Sequence, residues 1–244
     1  MSECLYCAGP ITNFTTWKTL FFPKEPLLCD ECEASFQLIT GPICPICSRP
    51  QSSEVSCGDC RRWEEDLSWS GVLRRNYSLF TYNDAMKEWI ASWKYRGDAV
   101  LAQAFQSRLQ TLYRRCCDGA VPVPIPLSKE RLQERGFNQS AILASFVCPP
   151  PRLFSKKYTA SPHEPAFLLE RTAHEEKQSK KSRLERMSSS TRPFRVLLEK
   201  NEIEGKSFVI IDDIYTTGTT LRKAAEELRR NGAKDICSIT LARG

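Results

Sequence analysis

Apolar residues fall into short runs separated by polar loops, most clearly in the second half of the chain. SFVII at 207–211 is an unbroken apolar stretch of the kind that a parallel sheet buries on both faces. ICSITLA at 236–242 and VPVPI at 121–125 read the same way, and YSLFTY at 77–82 alternates well enough for a strand. Between these runs the period lengthens to that of a helix. Trp89, Ile90 and Trp93 share one face of a segment that Asp84 can cap. Leu101, Phe105, Leu109 and Leu112 recur along a second segment that Asp98 can cap. QSAILASF follows Asn138, and a last helix over 221–230 ends at Gly232. Pro149, Pro150 and Pro151 break the chain before a brief strand near Leu153 and Phe154. Strands alternating with helices predict an α/β fold: a twisted parallel sheet flanked by helices, with ligands at the carboxyl ends of the strands.

The first 60 residues follow no such pattern, and their apolar side chains are too few to build a core unaided. They hold four Cys-x-x-Cys pairs: Cys4/Cys7, Cys29/Cys32, Cys44/Cys47 and Cys57/Cys60. Two-residue spacing lets both thiolates of a turn face one cation, so the pairs point to two structural zinc ions rather than disulfides or redox thiols. Pairing can be sequential, with Cys4, Cys7, Cys29 and Cys32 on one ion and Cys44, Cys47, Cys57 and Cys60 on the other, or interleaved. The expected organisation is a cysteine-rich module over 1–62, a connector over 63–76 and an α/β domain over 77–244.

Charge divides at nearly the same place. Residues 1–66 carry ten acidic and five basic side chains, a balance of −5, so with a net charge of +6 residues 67–244 carry +11. A polyanion should therefore bind the second part. Residues 171–195 hold eight basic and three acidic side chains and little apolar surface. Lys177, Lys180, Lys181, Arg183 and Arg186 there are candidate contacts for single-stranded DNA, with Tyr158 and Phe194 as stacking candidates. No apolar run approaches the roughly 18 residues of a membrane span, and MSECLYC lacks a secretory signal's regions. The expectation is a cytoplasmic protein without membrane insertion.

VIIDDIYTTGTT at 209–220 carries the chemistry. The apolar strand delivers Asp212 and Asp213 to the sheet edge, where they can accept hydrogen bonds from the two hydroxyls of a ribose. Gly218 lets backbone approach a ligand closely, and Thr216, Thr217, Thr219 and Thr220 can cradle a phosphate at the positive end of the following helix. The string resembles the phosphoribosyl-diphosphate (PRPP) signature of type I phosphoribosyltransferases.

VPVPIPLSKERLQERGFNQ at 121–139 widens the likeness, and TYNDAMKEWIASWKYRGD at 81–98, Gln178 with Arg186, and the cysteine pairs extend it over essentially the whole chain. Together they are similar to the ComF family, a branch of the phosphoribosyltransferases associated with competence. The resemblance implies a phosphoribosyltransferase-type sheet with a small N-terminal zinc-ribbon module, and PRPP bound with Mg²⁺. It puts Arg131 and Arg135, in the loop over 126–136, against pyrophosphate. It also implies a part in natural transformation, with single-stranded DNA and a ComFA-type helicase as partners. Ser189 stands where the family often has asparagine. Two readings follow. In one, a competence protein keeps a ribose-phosphate site and handles incoming DNA; in the other, a phosphoribosyltransferase lets an unidentified acceptor displace pyrophosphate from C1 of PRPP, with Asp212 and Asp213 stabilising the positive charge that develops on the ribose.

Overall fold

The computed structural model describes residues 2–11, 26–95, 99–148, 165–172 and 192–244. Strands β1 (Arg75–Thr81), β2 (Val121–Pro124), β5 (Ser207–Tyr215) and β6 (Asp235–Arg243) form a wholly parallel sheet in the order β1-β6-β5-β2. A separate ribbon pairs β3 (Leu169–Arg171) with β4 (Phe194–Val196) antiparallel. The sheet agrees with the expected fold class, and β6, last in the chain, takes an interior place.

Side chains of β5 alternate between two cores. Val209 and Ile211 enter one; Phe208 and Ile210 enter the other, and none is more than 1 % exposed. The first core is closed by α3 (Asp84–Tyr95), a 3-10 segment (Ala99–Phe105), α4 (Gln106–Cys116) and α6 (Gln139–Val147). Trp89, Trp93, Phe105, Leu109 and Leu143 fill it. The second core takes α7 (Thr219–Arg230) and the β3–β4 ribbon through Leu221, Leu228, Leu169 and Phe194.

The cysteine-rich residues belong to both cores. Cys4, Leu28 and Phe36 pack into the first, next to helix α1 (Asp30–Ser35); Cys44, Cys47, Cys57 and Cys60 pack into the second, next to α2 (Gly58–Glu65). Between the two sets, the chain pairs with the free edge of β1: Thr81 donates to the Gln37 carbonyl and Ile39 to that of Leu79. This cover removes an exposed sheet edge. A buried polar seam joins the second set to the sheet. Ser48 donates to the Asn76 carbonyl at 2.6 Å, and the Asn76 side chain accepts from Ser238 and donates to Ser78, each at 2.8 Å.

Local details differ from the expectations in four places. Asn83, not Asp84, caps α3: its Oδ1 accepts from the Met86 amide at 3.0 Å, while its Nδ2 donates to the Ser35 carbonyl. The stretch over 126–136 is no plain loop. It contains helix α5 (Lys129–Arg135), capped by Ser128 and ended by Gly136 at φ 75°. Helix α7 starts at Thr219, two residues early, because Gly218 turns the chain directly into it. The segment after Asp98 begins as a 3-10 turn. Asp98 itself and the strand expected near Leu153 and Phe154 lie outside the described residues.

Phe36 meets Phe80, Trp89 and Phe105 with ring centroids 6.1, 6.3 and 5.1 Å away. Phe36→Ala should therefore cost the sheet about 3–5 kcal/mol, although Phe36 lies among the cysteine pairs. Denaturant unfolding followed by far-UV circular dichroism checks this, and a loss under about 1 kcal/mol would mean that Phe36 stabilises only its own segment.

Candidate functional site

The site is assembled where β5 outlasts β2. Beyond Ile211, the last residue of β5 paired with β2, the strand runs on to Tyr215 against β6 alone. Asp212 and Asp213 line a cavity of about 140 Å³ at that step. Around them stand Lys94 of α3, Arg131 and Arg135 of α5, Gln139 and Ser140 of α6, and Arg171 of β3. Four cations around two acids suit a ligand carrying several negative charges together with hydroxyl groups.

The two acids are not equivalent. Asp212 accepts from Ser140 Oγ at 2.8 Å. Burial, and then the charge of Asp213, push its carboxyl up to about 7, while the Ser140 bond and Lys94 pull the other way. Asp213 is 9 % exposed and forms an ion pair with Lys94. Gln139 is buried; its Oε1 accepts from Arg135 at 3.0 Å, and its Nε2 has no partner among the described residues. A buried amide donor left unmatched beside arginines fits an anionic ligand.

After Tyr215 the chain turns through residues 216–218 into α7. Gly218 has φ +80°, and a Cβ there would lie 2.1 Å from Tyr215 Oη and 2.6 Å from Arg222 Nη1. Glycine is thus required twice, for the backbone angle and for the groups packed beneath it. Residues 216–220 line a niche of about 30 Å³ at the start of α7. The Thr217 and Thr219 hydroxyls lie 2.9 Å apart and are buried against each other, whereas Thr216 is exposed and Thr220 half-buried.

The candidate DNA contacts Lys177, Lys180, Lys181, Arg183 and Arg186, with Tyr158, lie outside the described residues. The flanks of that segment meet each other: Thr172 N donates to the Pro193 carbonyl at 2.9 Å. Arg171, just before it, lines both the cavity and an open groove with Lys129 and Arg195. Phe194 is a correction. It is 3 % exposed, with the Arg171 guanidinium 5.4 Å from its ring centroid, so it offers no free face for a base.

The thiols gather sequentially: Cys4, Cys7, Cys29 and Cys32 form one cluster and Cys44, Cys47, Cys57 and Cys60 another, with the sulfurs of each within 4.8 Å of one another. Each is built from a knuckle and a helix start. Ala8 and Ser48 take positive φ in the knuckles, while Cys29 and Cys57 are the N-caps of α1 and α2. Four thiolates at 2.3 Å around one ion are separated by about 3.8 Å. The Cys7–Cys29 and Cys47–Cys57 sulfurs lie 3.7 Å apart, so each cluster has the donors and spacing to hold a zinc ion.

Comparison with known proteins accords with this geometry. The phosphoribosyl transferase domain family matches residues 164–244. Competence protein ComFC of Bacillus subtilis is 40 % identical over 244 residues, covering 98 % of this chain and 94 % of that protein. The chain belongs to the ComF family. Competence protein ComFC of Streptococcus pneumoniae is 31 % identical, covering 99 % of this chain and all of that protein. DNA utilization protein YhgH of Escherichia coli K12 is 29 % identical over 80 % of this ComF member. No helix among its described residues is long and apolar enough to cross a membrane.

Lys94, Gln139 and Ser140 are polar cavity residues that sequence reasoning did not single out. Lys94 and Gln139 lie within the two family-like strings, and Ser140 directly follows the second, so those strings were the available signal.

Two outcomes follow. Elemental analysis of metal-replete protein should return two zinc ions per chain, and one or none would refute the paired clusters. Asp212→Asn should raise the thermal midpoint. A carboxyl whose pKa rises from 3.8 to about 7 on folding contributes most stability below the lower value and loses it as pH climbs to the upper. Asparagine escapes that loss, so its advantage should grow from pH 5 to pH 8 in scanning calorimetry; a constant difference would mean that Asp212 is not held protonated.

Proposed function

We propose that this chain is a cytoplasmic competence protein that binds PRPP, or a related ribose phosphate, and assists the handling of single-stranded DNA. The observation that carries the reading is the cavity beyond β2, which brings Asp212 and Asp213 within one pocket with Arg131, Arg135 and Arg171, beside the niche over 216–220. Each part matches one portion of the ligand. The 5-phosphate takes the niche, through backbone amides and the hydroxyls of Thr216 and Thr220, with the positive end of α7 behind it. Ribose hydroxyls donate to the two acids. The diphosphate meets Arg131, Arg135 and Arg171, whose planar forks suit phosphate oxygens. Were Mg²⁺ to accompany PRPP, Asp212 and Asp213 would offer it the hard carboxylate oxygens it favours.

Lys94 pairs with Oδ2 of Asp213, which leaves Oδ1 to accept from a ribose hydroxyl. Asp212 must ionise, so affinity should rise with pH through about 7. The competence role rests on the relatives' names, ComFC and YhgH, read with the +11 charge beyond residue 66. The described flanks of the basic stretch within 171–195 meet at Thr172 and Pro193, next to Arg171, which lines both the cavity and the groove with Lys129 and Arg195, so that groove is a ready seat for DNA. The acidic cysteine-rich region is the surface proposed for a ComFA-type helicase.

Asp212→Asn with Asp213→Asn should weaken PRPP binding by at least about 100-fold, since each hydrogen bond to a charged acceptor is worth roughly 1.5–3 kcal/mol. Calorimetry returning wild-type affinity would move the site elsewhere. Single-stranded DNA should compete with PRPP and Mg²⁺ and bind more weakly as salt rises. Changing Lys177, Lys180 and Lys181 to glutamate should weaken DNA binding more than PRPP binding. Fluorescence anisotropy decides this, and DNA held equally well at saturating PRPP would separate the two surfaces.

A further inference from the structure

Arg222 is a fully buried guanidinium directly beneath the niche over 216–220, and nothing in the ligand reading accounts for it. A buried cation costs several kcal/mol unless neighbours replace water, so its neighbours reveal what it depends on. Its Nη1 donates to Tyr215 Oη at 2.5 Å. Its Cζ lies 4.9 Å from the Trp63 ring centroid, and Glu64 is 3.8 Å from Nη2. Nε and Nη2 have no hydrogen-bond partner among the described residues. Two of its three compensating neighbours, Trp63 and Glu64, therefore come from α2, the helix that Cys57 caps and whose first turn holds Cys60.

Two further contacts tie this cluster and its helix to Thr217 and to Tyr215, the residue that leads into the loop. The Trp63 indole donates to the Thr217 carbonyl at 2.9 Å. In a trans peptide the carbonyl and the following N–H point opposite ways, so this bond turns the Gly218 amide away from Trp63. Arg243 forms the other contact. Its Nη2 lies 3.3 Å from Cys47 Sγ, its Nη1 donates to the Tyr215 carbonyl at 3.2 Å, and its Cζ lies 4.8 Å from the Tyr215 ring centroid. Helix α2 has eight residues, too few to hold a helix without tertiary anchors, and the cluster anchors its first turn. The other cluster packs into the opposite core beside Phe36 and makes no such contact among the described residues.

We propose that the Cys44/Cys47/Cys57/Cys60 cluster sets the conformation of the 216–220 loop, with Trp63, Arg222 and Arg243 as positioning residues. Metal held there fixes α2, α2 fixes Arg222 and the Thr217 carbonyl, and those fix the loop amides. Occupancy of the Cys4/Cys7/Cys29/Cys32 cluster leaves the loop unchanged. The ligand consequence rests on the reading above that 216–220 holds a phosphate; the mechanical link does not.

Hydrogen–deuterium exchange of the full chain, read at the Arg222 amide, which closes the loop by donating to the Gly218 carbonyl at 2.9 Å, tests the link without any ligand. Cys57→Ser with Cys60→Ser should speed exchange there by at least about tenfold, whereas Cys29→Ser with Cys32→Ser should change it by less than about twofold. Trp63→Phe covers the case in which losing ligands unfolds the chain. It keeps a ring over Arg222 but removes the N–H, so exchange should rise at the Arg222 amide while metal analysis still returns two zinc ions. Equal effects from both cysteine pairs, or unchanged loop exchange in the second-cluster variant or in Trp63→Phe, would overturn the proposal. Ribose 5-phosphate titration of the same proteins provides a second arm, in which affinity should fall with loop exchange. Failure of the wild-type protein to bind ribose 5-phosphate or PRPP would sink the ligand reading, and the exchange data would still decide the link.

Discussion

The parallel pairing of β5 with β6 on one side and β2 on the other is the constraint on which the rest of the molecule depends. It buries Phe208 to Ile211 on two faces at once and fixes the height at which β2 stops. The step left at that height is the cavity. Asp212 and Asp213 can stand there only because β6 continues beside them and supplies backbone partners out to Tyr215. The burial that raises the Asp212 pKa is thus a consequence of the sheet's own architecture.

The cysteine clusters extend this arrangement. They lie on opposite faces of the sheet, one packed into each core, with residues 37–39 crossing the edge of β1 between them. A small apolar complement is then sufficient, because each cluster borrows the core that it caps. The first faces the aromatic group of Phe36, Phe80 and Phe105; the second faces a polar seam and two buried arginines. That difference in surroundings is the physical basis for assigning the two clusters different consequences.

Much of the fold was legible in the sequence because parallel strands buried on both faces appear as apolar runs. The runs understated the strands wherever backbone pairing continued under polar side chains, as at Asp212 and Asp213. Helix α5 was missed because KERLQER holds one apolar residue, Leu132, which is exposed; Ser128 and Gly136 bound it, and both were readable. The site acids and the 216–220 loop were legible as a local string. Their partners were not, since Ser140 and Lys94 reach Asp212 and Asp213 only through tertiary packing. Likewise, two-residue spacing identified the thiol pairs, whereas which pairs share an ion depended on how the chain wraps around β1.

The central claim is that the carboxyl end of β5 and the loop after it form one anion-binding site. Amide chemical-shift mapping of isotope-labelled protein during titration with PRPP and Mg²⁺ tests it most directly. The account predicts shifts concentrated at Asp212, Asp213, residues 216–220 and Ser140, with the knuckle around Cys4 and Cys7 unmoved. Shifts confined to other surfaces, with the Gly218 and Thr219 amides unchanged at saturation, would contradict it.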